Sequence, residues 1–229
     1  MVQREMSDGI FNITKGGRRG LATKNLDPGV GVYGEKLVMI ESNEYRMWNP
    51  KRSKLAVMAL KRMRIPIRHD SRVLYLGAAS GTTVSHVSDM VPDGVVYAVE
   101  FSARTMRDLV QMSERRENIV PILADAAHPA SYAHIVEPVD VIFQDVAQPN
   151  QAEIAIINAR RFLKEDGHLL LSIKARSIDT VASPDKIFKE EIRKLEVDDV
   201  GFHVSKRQKL SPFHEDHMGV IAERKTAKK

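Results

Sequence analysis

Four stretches of this chain end an apolar run in residues that could hold a nucleoside. Arg72-Val73-Leu74-Tyr75-Leu76 runs into Gly77-Ala78-Ala79-Ser80-Gly81-Thr82-Thr83, and Val95–Val99 ends at Glu100. Ile119–Leu123 is followed by Asp125-Ala126, and Val139–Phe143 by Gln144-Asp145-Val146-Ala147-Gln148. Small residues after the first run let backbone approach a ligand closely, with a helix N-terminus expected next. Glu100, 23 residues beyond Gly77, suits both hydroxyls of a ribose. Asp125 suits an adenine amino group. The turn is not G-x-G-x-x-G, because its third position is Ala79 and its sixth Thr82, and it has no Gly-Lys-Ser/Thr. The ordered series therefore points to a nucleoside cofactor without a diphosphate.

The elements that must position these residues alternate. Strand-like runs Val73–Leu76, Val95–Val99, Ile119–Leu123, Val139–Phe143 and Leu169–Ile173 are separated by helical patterns. Pro149 suits a first helical turn, Ala155, Ala159, Phe162 and Leu163 share one face, and Gly167 is the expected stop. Ser183-Pro184 begins another helix, with Phe188, Ile192 and Leu195 on one face, and His203–Lys209 and Met218–Ala222 are further strands. Near-continuous apolar strands alternating with helices imply an α/β fold, a parallel sheet covered on both faces. Ligands bind at the carboxyl ends of such strands. Residues 1–50 differ: they hold seven of the 13 glycines and short β-type runs, Val30–Tyr33 and Leu37–Ile40. They read as a small β-rich N-terminal domain closed by Trp48-Asn49-Pro50, with 51–229 as the main domain.

The 229 residues carry a net charge of +5, but Arg46–Arg72 alone carries +8, leaving −3 for the rest. A basic helix starting near Lys51 is expected there, as a shelf for a phosphate backbone or as a solvated face. With 43% hydrophobic and 28% charged residues the composition is that of a soluble globular chain, not a disordered one. The absence of cysteine removes disulfides, thiolate metal sites and cysteine nucleophiles. The longest apolar run, Leu55–Leu60, is too short to span a membrane, and Met1–Ile13 lacks a signal-peptide core, which points to the cytoplasm.

Asn49-Pro50-Lys51-Arg52-Ser53-Lys54-Leu55, Tyr75–Thr82, Val99-Glu100-Phe101-Ser102 and Gln144–Gln148 together resemble the fibrillarin family, over essentially the whole chain. Gly16-Gly17-Arg18-Arg19-Gly20 is too short for the Gly/Arg-rich extension of eukaryotic members, so the archaeal form is expected. The resemblance implies a Rossmann-like S-adenosylmethionine-dependent methyltransferase sheet and an RNA 2′-O-methyltransferase acting on rRNA and tRNA. It also implies a box C/D guide RNA and target RNA, a Nop-family scaffold protein and a kink-turn-binding ribosomal-protein-like factor. It puts S-adenosylmethionine on Gly77, Ala78, Ala79, Gly81, Thr82, Thr83, Glu100, Phe101, Asp125, Ala126, Asp145 and Gln148. A catalytic quartet falls on Lys54, Asp145, Lys174 and His217.

A ribose hydroxyl is a poor nucleophile, so it must be aligned with the methyl group and relieved of its proton. Lys174 ends the run after Asp145's, so parallel pairing brings them together. Lys174 is read as the deprotonating or alkoxide-stabilising amine, Asp145 as its orienter, and Lys54 as a holder of hydroxyl and phosphate. His214-Glu215-Asp216-His217 is not H-E-x-x-H and reads as no metal site. Trp48 reads as an anchor between the units, Met58 and Met63 as core, and His128 as a loop residue. Lys206, Arg207, Lys209 and Lys228-Lys229 either touch RNA or are solvated. Two other functions remain open on the residues alone. One is a non-catalytic subunit of an RNA–protein particle. The other is a methyltransferase for another substrate, although the Asn/Asp-Pro-Pro-aromatic loop of nitrogen-methylating enzymes is missing.

Overall fold

The computed structural model describes residues 2–15 and 17–225; Gly16 and the terminal Lys228-Lys229 lie outside them. Before residue 50 come β1 (Val2–Ser7), β2 (Ile10–Lys15), β3 (Arg18–Lys24), β4 (Leu37–Ile40) and β5 (Asn43–Trp48). They form one antiparallel sheet in the order β1-β2-β3-β5-β4. Val30–Tyr33, expected as a strand, is a loop. The Glu35 carboxylate takes the Val32 and Tyr33 amides at 3.0 and 2.8 Å, so those amides are not available to a ladder.

A 3₁₀ turn (Pro50–Arg52) leads to α1 (Lys54–Leu60), N-capped by the Ser53 hydroxyl. This corrects the expected basic helix. Five of the seven residues of α1 are buried and apolar, and Lys54 is its sole cation. Arg46 is fully buried on Glu35 and Asp89, while Arg68 and Arg72 pair with Asp70 and Glu137. The +8 segment is therefore split, with Arg46, Lys51 and Arg52 before α1, Lys54 at its start, and Lys61, Arg62, Arg64, Arg68 and Arg72 after it.

The second sheet contains β6 (Arg72–Leu76), β7 (Val95–Glu100), β8 (Ile119–Leu123), β9 (Val139–Gln144), β10 (Leu163–Lys174), β11 (Phe202–Lys209) and β12 (His217–Arg224). Its order is β11-β12-β10-β9-β6-β7-β8. The helices are α2 (Thr82–Met90), α3 (Ala103–Ser113), α4 (Gln151–Phe162), α5 (Ala175–Ile178) and α6 (Pro184–Val197). β6 to β10 pair in parallel, but β12 runs antiparallel to both β10 and β11. The sheet is thus mixed rather than wholly parallel, because β11 and β12 are joined by a short turn that only an antiparallel pair can use. Gly167 is not a helix stop either: α4 ends at Phe162, and Gly167 lies inside β10, where the pairing with β9 shifts register between Leu163 and His168.

Side chains alternate across this sheet. Leu74, Leu76 and Ile142 face the core shared with α4 and α6, while Val73, Tyr75 and Phe143 face α1, α2 and α3. Ile10, Leu21 and Trp48 of the first sheet join the latter core, as do Met58 and Met63. Trp48 is buried and stacks on the His86 ring of α2 at 4.7 Å, an anchor as expected. His86 also ties the sheets together by hydrogen bonds. Thr23 Oγ1 donates to Asp89 (2.7 Å) and so accepts from His86 Nδ1 (2.7 Å), leaving His86 Nε2 to accept from the Tyr33 hydroxyl (2.7 Å). These partners suit a neutral ring.

Burial, with Arg46 and Arg116 nearby, holds the His86 pKa well below the ordinary 6.5. Its contribution to stability is therefore complete above about pH 6.5 and lost as pH falls toward the folded value. The slope reaches up to about 1.4 kcal/mol per pH unit for the one proton involved. Urea denaturation of wild type should show this decline below pH 6.5, and His86→Gln should flatten it; equal slopes would refute the assignment.

Candidate active site

At the point where the strand order reverses, β6 and β9 lie side by side and their chain ends diverge. Gly77 leaves β6 with φ +85°, and a Cβ there would lie 2.9 Å from the Asp145 carbonyl oxygen. Glycine is thus required on both conformational and steric grounds. The Gly77 and Ala78 amides donate to the Val99 carbonyl at 3.0 Å each, fixing the turn on β7. Ala79 is also left-handed (φ +49°), and its amide donates to Glu100 Oε2 at 2.8 Å. Glu100 Oε1 accepts from the Ser102 amide at 2.8 Å. Glu100 is therefore nearly buried and fixed, with lone pairs left on both oxygens. Phe101 beside it is 72% exposed and presents a flat apolar face.

Asp125 Oδ1 accepts from the Ala127 amide and from Gln148 Nε2, each at 2.9 Å, and these bonds hold its pKa below the usual carboxylate value. Its Oδ2 points outward beside His128, 3.5 Å away. The turn Gly77–Gly81, Thr82 and Thr83 at the start of α2, and Glu100, Phe101, Asp125, Ala126 and Gln148 all border the carboxyl ends of β6 to β9.

Asp145 lies between two ammonium groups. Lys54 Nζ is 3.2 Å from Oδ2 and Lys174 Nζ is 3.0 Å from Oδ1, with all three side chains mostly buried. Oδ1 is buried and receives no aligned hydrogen bond, so the Lys174 contact is a charge contact. Lys174 does donate a directed bond, to the Asp145 main-chain carbonyl at 2.7 Å. His217 is paired in register with Lys174 across β10 and β12. Its Nδ1 donates to the Glu215 carbonyl at 2.5 Å, which leaves Nε2 as an acceptor. Burial lowers the His217 pKa, and Lys54 and Lys174 lower it further against the opposing Glu215 bond and Asp145. All four residues of the expected quartet thus gather at one place.

Two residues at this place escaped the sequence reading. Gln151, fully buried, accepts from the Lys174 amide at 2.9 Å and donates to the Lys174 and Gln148 carbonyls at 3.2 and 3.0 Å. A glutamine on the first turn of a helix gives no sequence signal for this contact. His214 pairs its Nε2 with the Pro50 carbonyl at 2.9 Å, fastening the β11–β12 turn to the segment before Lys54. Burial lowers its pKa too, with Lys54 adding to the effect. The His214–His217 pair was visible in sequence, but only as a rejected metal pattern. Among the described residues no group of three His, Cys, Asp or Glu side chains gathers to hold a metal.

A nucleoside cradle without a diphosphate loop, at the strand ends of this sheet, defines the Rossmann-like S-adenosylmethionine-dependent methyltransferase fold. Within that class the chain belongs to the fibrillarin family, whose model, described as Fibrillarin, matches residues 1–226. It is 65% identical over 220 residues to a fibrillarin-like rRNA/tRNA 2′-O-methyltransferase of Methanosarcina mazei, covering 96% of each chain. It is similar to Aeropyrum pernix fibrillarin solved with natively bound S-adenosyl-L-methionine (TM-score 0.88, 45% identity, 96% of each chain). It is likewise similar to a chain of a fibrillarin/Nop5p complex (TM-score 0.87, 45% identity, 96% of this chain and 100% of that one).

Gly77→Ala should lower stability by about 1–2 kcal/mol through the left-handed backbone alone. It should also weaken S-adenosylmethionine binding, because the added methyl group meets the Asp145 carbonyl. Denaturation and calorimetry would measure both, and an unchanged affinity would refute the cradle.

Proposed function

We propose that this protein is an RNA 2′-O-methyltransferase that transfers a methyl group from S-adenosylmethionine to ribose 2′-hydroxyls of rRNA and tRNA, directed by a box C/D guide RNA. The observation that carries this reading is the Lys54–Asp145–Lys174 cluster beside the nucleoside cradle in a chain of the fibrillarin family. The residues fit the cofactor. No Cβ can enter at Gly77, Glu100 keeps lone pairs for a ribose, and Asp125 Oδ2, beside His128, keeps a lone pair to accept from an adenine amino group. When bound, S-adenosylmethionine supplies a methyl group already activated on a sulfonium. The protein's own share is then alignment, charge and proton removal.

Lys174 donates one N–H to the Asp145 carbonyl and is in charge contact with its carboxylate, which leaves N–H donors for the target oxygen. This arrangement favours the alkoxide-stabilising role for Lys174. Lys54, on the other oxygen of Asp145, holds the hydroxyl and the neighbouring phosphate. Asp145 keeps both ammonium groups at the site. His217 Nε2 is the proton acceptor, its ring kept neutral by burial and the two lysines. A purely structural subunit of a particle would have no use for this charge arrangement. Residues 51–229 carry the chemistry in this reading, and residues 1–50 form a buttressing domain.

The sequence carries no RRM or KH motif, so target choice must come from partners. The solved fibrillarin/Nop5p complex supports a Nop-family scaffold for this chain. A box C/D guide RNA and a kink-turn-binding ribosomal-protein-like factor complete the proposed particle.

Lys174→Ala should lower kcat by about 10²–10⁴-fold while leaving S-adenosylmethionine affinity unchanged. Wild-type turnover should fall as pH drops below about 6.5 and His217 takes up a proton, and His217→Gln should be slow and lack that limb. Methyl incorporation into guide-complementary RNA, with a 2′-deoxy target as control, measures both. The lone chain should methylate its target poorly and the reconstituted particle efficiently; site-selective activity without partners would refute the particle model.

A further inference from the structure

We propose that Arg52, preorganised on Tyr33, holds a backbone phosphate of the target RNA, the next along the strand from the one that Lys54 holds beside the methylated ribose. The inference rests on the RNA 2′-O-methyltransferase reading above and goes beyond the quartet. Arg52 and Lys51 are exposed and meet no carboxylate among the described residues. Arg46, Lys54, Arg68 and Arg72 of the same basic segment are all paired. An unpaired cation close to a site that must accept a polyanion has a use for its free donors.

Arg52 is also held in place. Its guanidinium carbon lies 4.9 Å from the centre of the Tyr33 ring, and Nη1 donates to the Tyr33 carbonyl at 3.3 Å. One of its five N–H donors is thereby used and the rest stay free in a planar fork, a geometry suited to phosphate. Tyr33 is itself fixed by its hydroxyl on His86 at 2.7 Å. Arg52 and Tyr33 form one lip of an open groove of about 480 Å³ that is also lined by Ser80, Thr82 and Gln111. The exposed carboxylate of Asp108 lines the same groove, so the phosphate is assigned to the Arg52 lip and not to the Asp108 side.

The distance from Arg52 to the reacting centre is set by buried Ser53. Its Oγ accepts from the Ala56 amide at 3.2 Å and from the Thr83 hydroxyl at 3.0 Å. Two residues of chain span at most about 7 Å, so Arg52 and Lys54 can serve neighbouring groups of one strand. The Pro50 carbonyl on His214 and the Asn49 side chain on the Lys51 amide (3.0 Å) hold the near end of the same segment. The backbone of the target would therefore run from the Lys54–Asp145–Lys174 cluster over this turn to the Arg52 lip.

The test uses the reconstituted particle with several guide–target pairs, measuring methyl transfer against target concentration at a series of salt concentrations. Arg52→Ala should raise KM for target several-fold and alike for every sequence, leave kcat at saturating target and S-adenosylmethionine affinity near wild type, and reduce the salt slope by about one. Arg52→Lys should restore the salt slope but only part of the KM, since charge returns without the planar fork. Tyr33→Phe keeps the ring under the guanidinium and should change KM less than Arg52→Ala. An Arg52→Ala particle with wild-type KM and salt slope would overturn the proposal. So would a variant whose only defect is weaker assembly with the scaffold, which would mark Arg52 as a protein contact. If the wild-type particle transfers no methyl group to any guide-complementary RNA, the functional reading itself fails, an outcome separate from either.

Discussion

The site depends on one buried carboxylate being shared by two ammonium groups. A lone ionised Asp145 at 13% side-chain exposure would lose several kcal/mol of hydration, and so would either lysine. Together the three offset one another. The arrangement needs β6 and β9 in contact, because Gly77 packs on the very carbonyl of Asp145 that Lys174 binds. It also needs β10 beside β9 and α1 beside both, which bring in Lys174 and Lys54. Cofactor cradle and reacting cluster are therefore joined through a single peptide group.

The residues before 50 stabilise this centre from outside it. Their own small core comprises Ile13, Ala22 and Tyr45, with partly buried neighbours, and much of their burial is against α1 and α2. A polar network does the rest. Arg46 binds Glu35 and Ser85, Asp89 receives Arg116 and Thr23, and His86 bridges Thr23 and Tyr33. Each charged member is buried beside an opposite charge, so loss of one partner leaves another stranded. Through Tyr33, Asn49 and Pro50 the network also sets where the Ser53–Lys54 turn stands.

Legibility followed how local each cause is. The strands β6 to β10 were readable because a strand covered on both faces is apolar at almost every position, as in Val73–Leu76 and Leu169–Ile173. The helix from Pro184 was readable because Ser183 caps it and Phe188, Ile192 and Leu195 recur on one face. Val30–Tyr33 misled because its β-type residues are held by a side chain, Glu35, whose position is fixed by Arg46. Gly167 misled because a glycine looks alike at a helix stop and at a register shift within a strand. Gln151 could not be found, since its role lies in two hydrogen bonds to a residue 23 positions away.

The sequence alone determined the α/β class, the order in which glycines and acids reach the carboxyl edge of the sheet, and the family, because strand patterns and turn motifs are properties of neighbouring residues. Tertiary structure decided what the charges do. The sequence showed +8 over Arg46–Arg72, to be read as a shelf or a solvated face, but folding buried Arg46, paired Lys54, Arg68 and Arg72 with carboxylates, put Lys61, Arg62 and Arg64 beyond α1, and left Arg52 with no carboxylate partner among the described residues. A charge acts through the partner and dielectric around it, and both are supplied by residues distant in the chain.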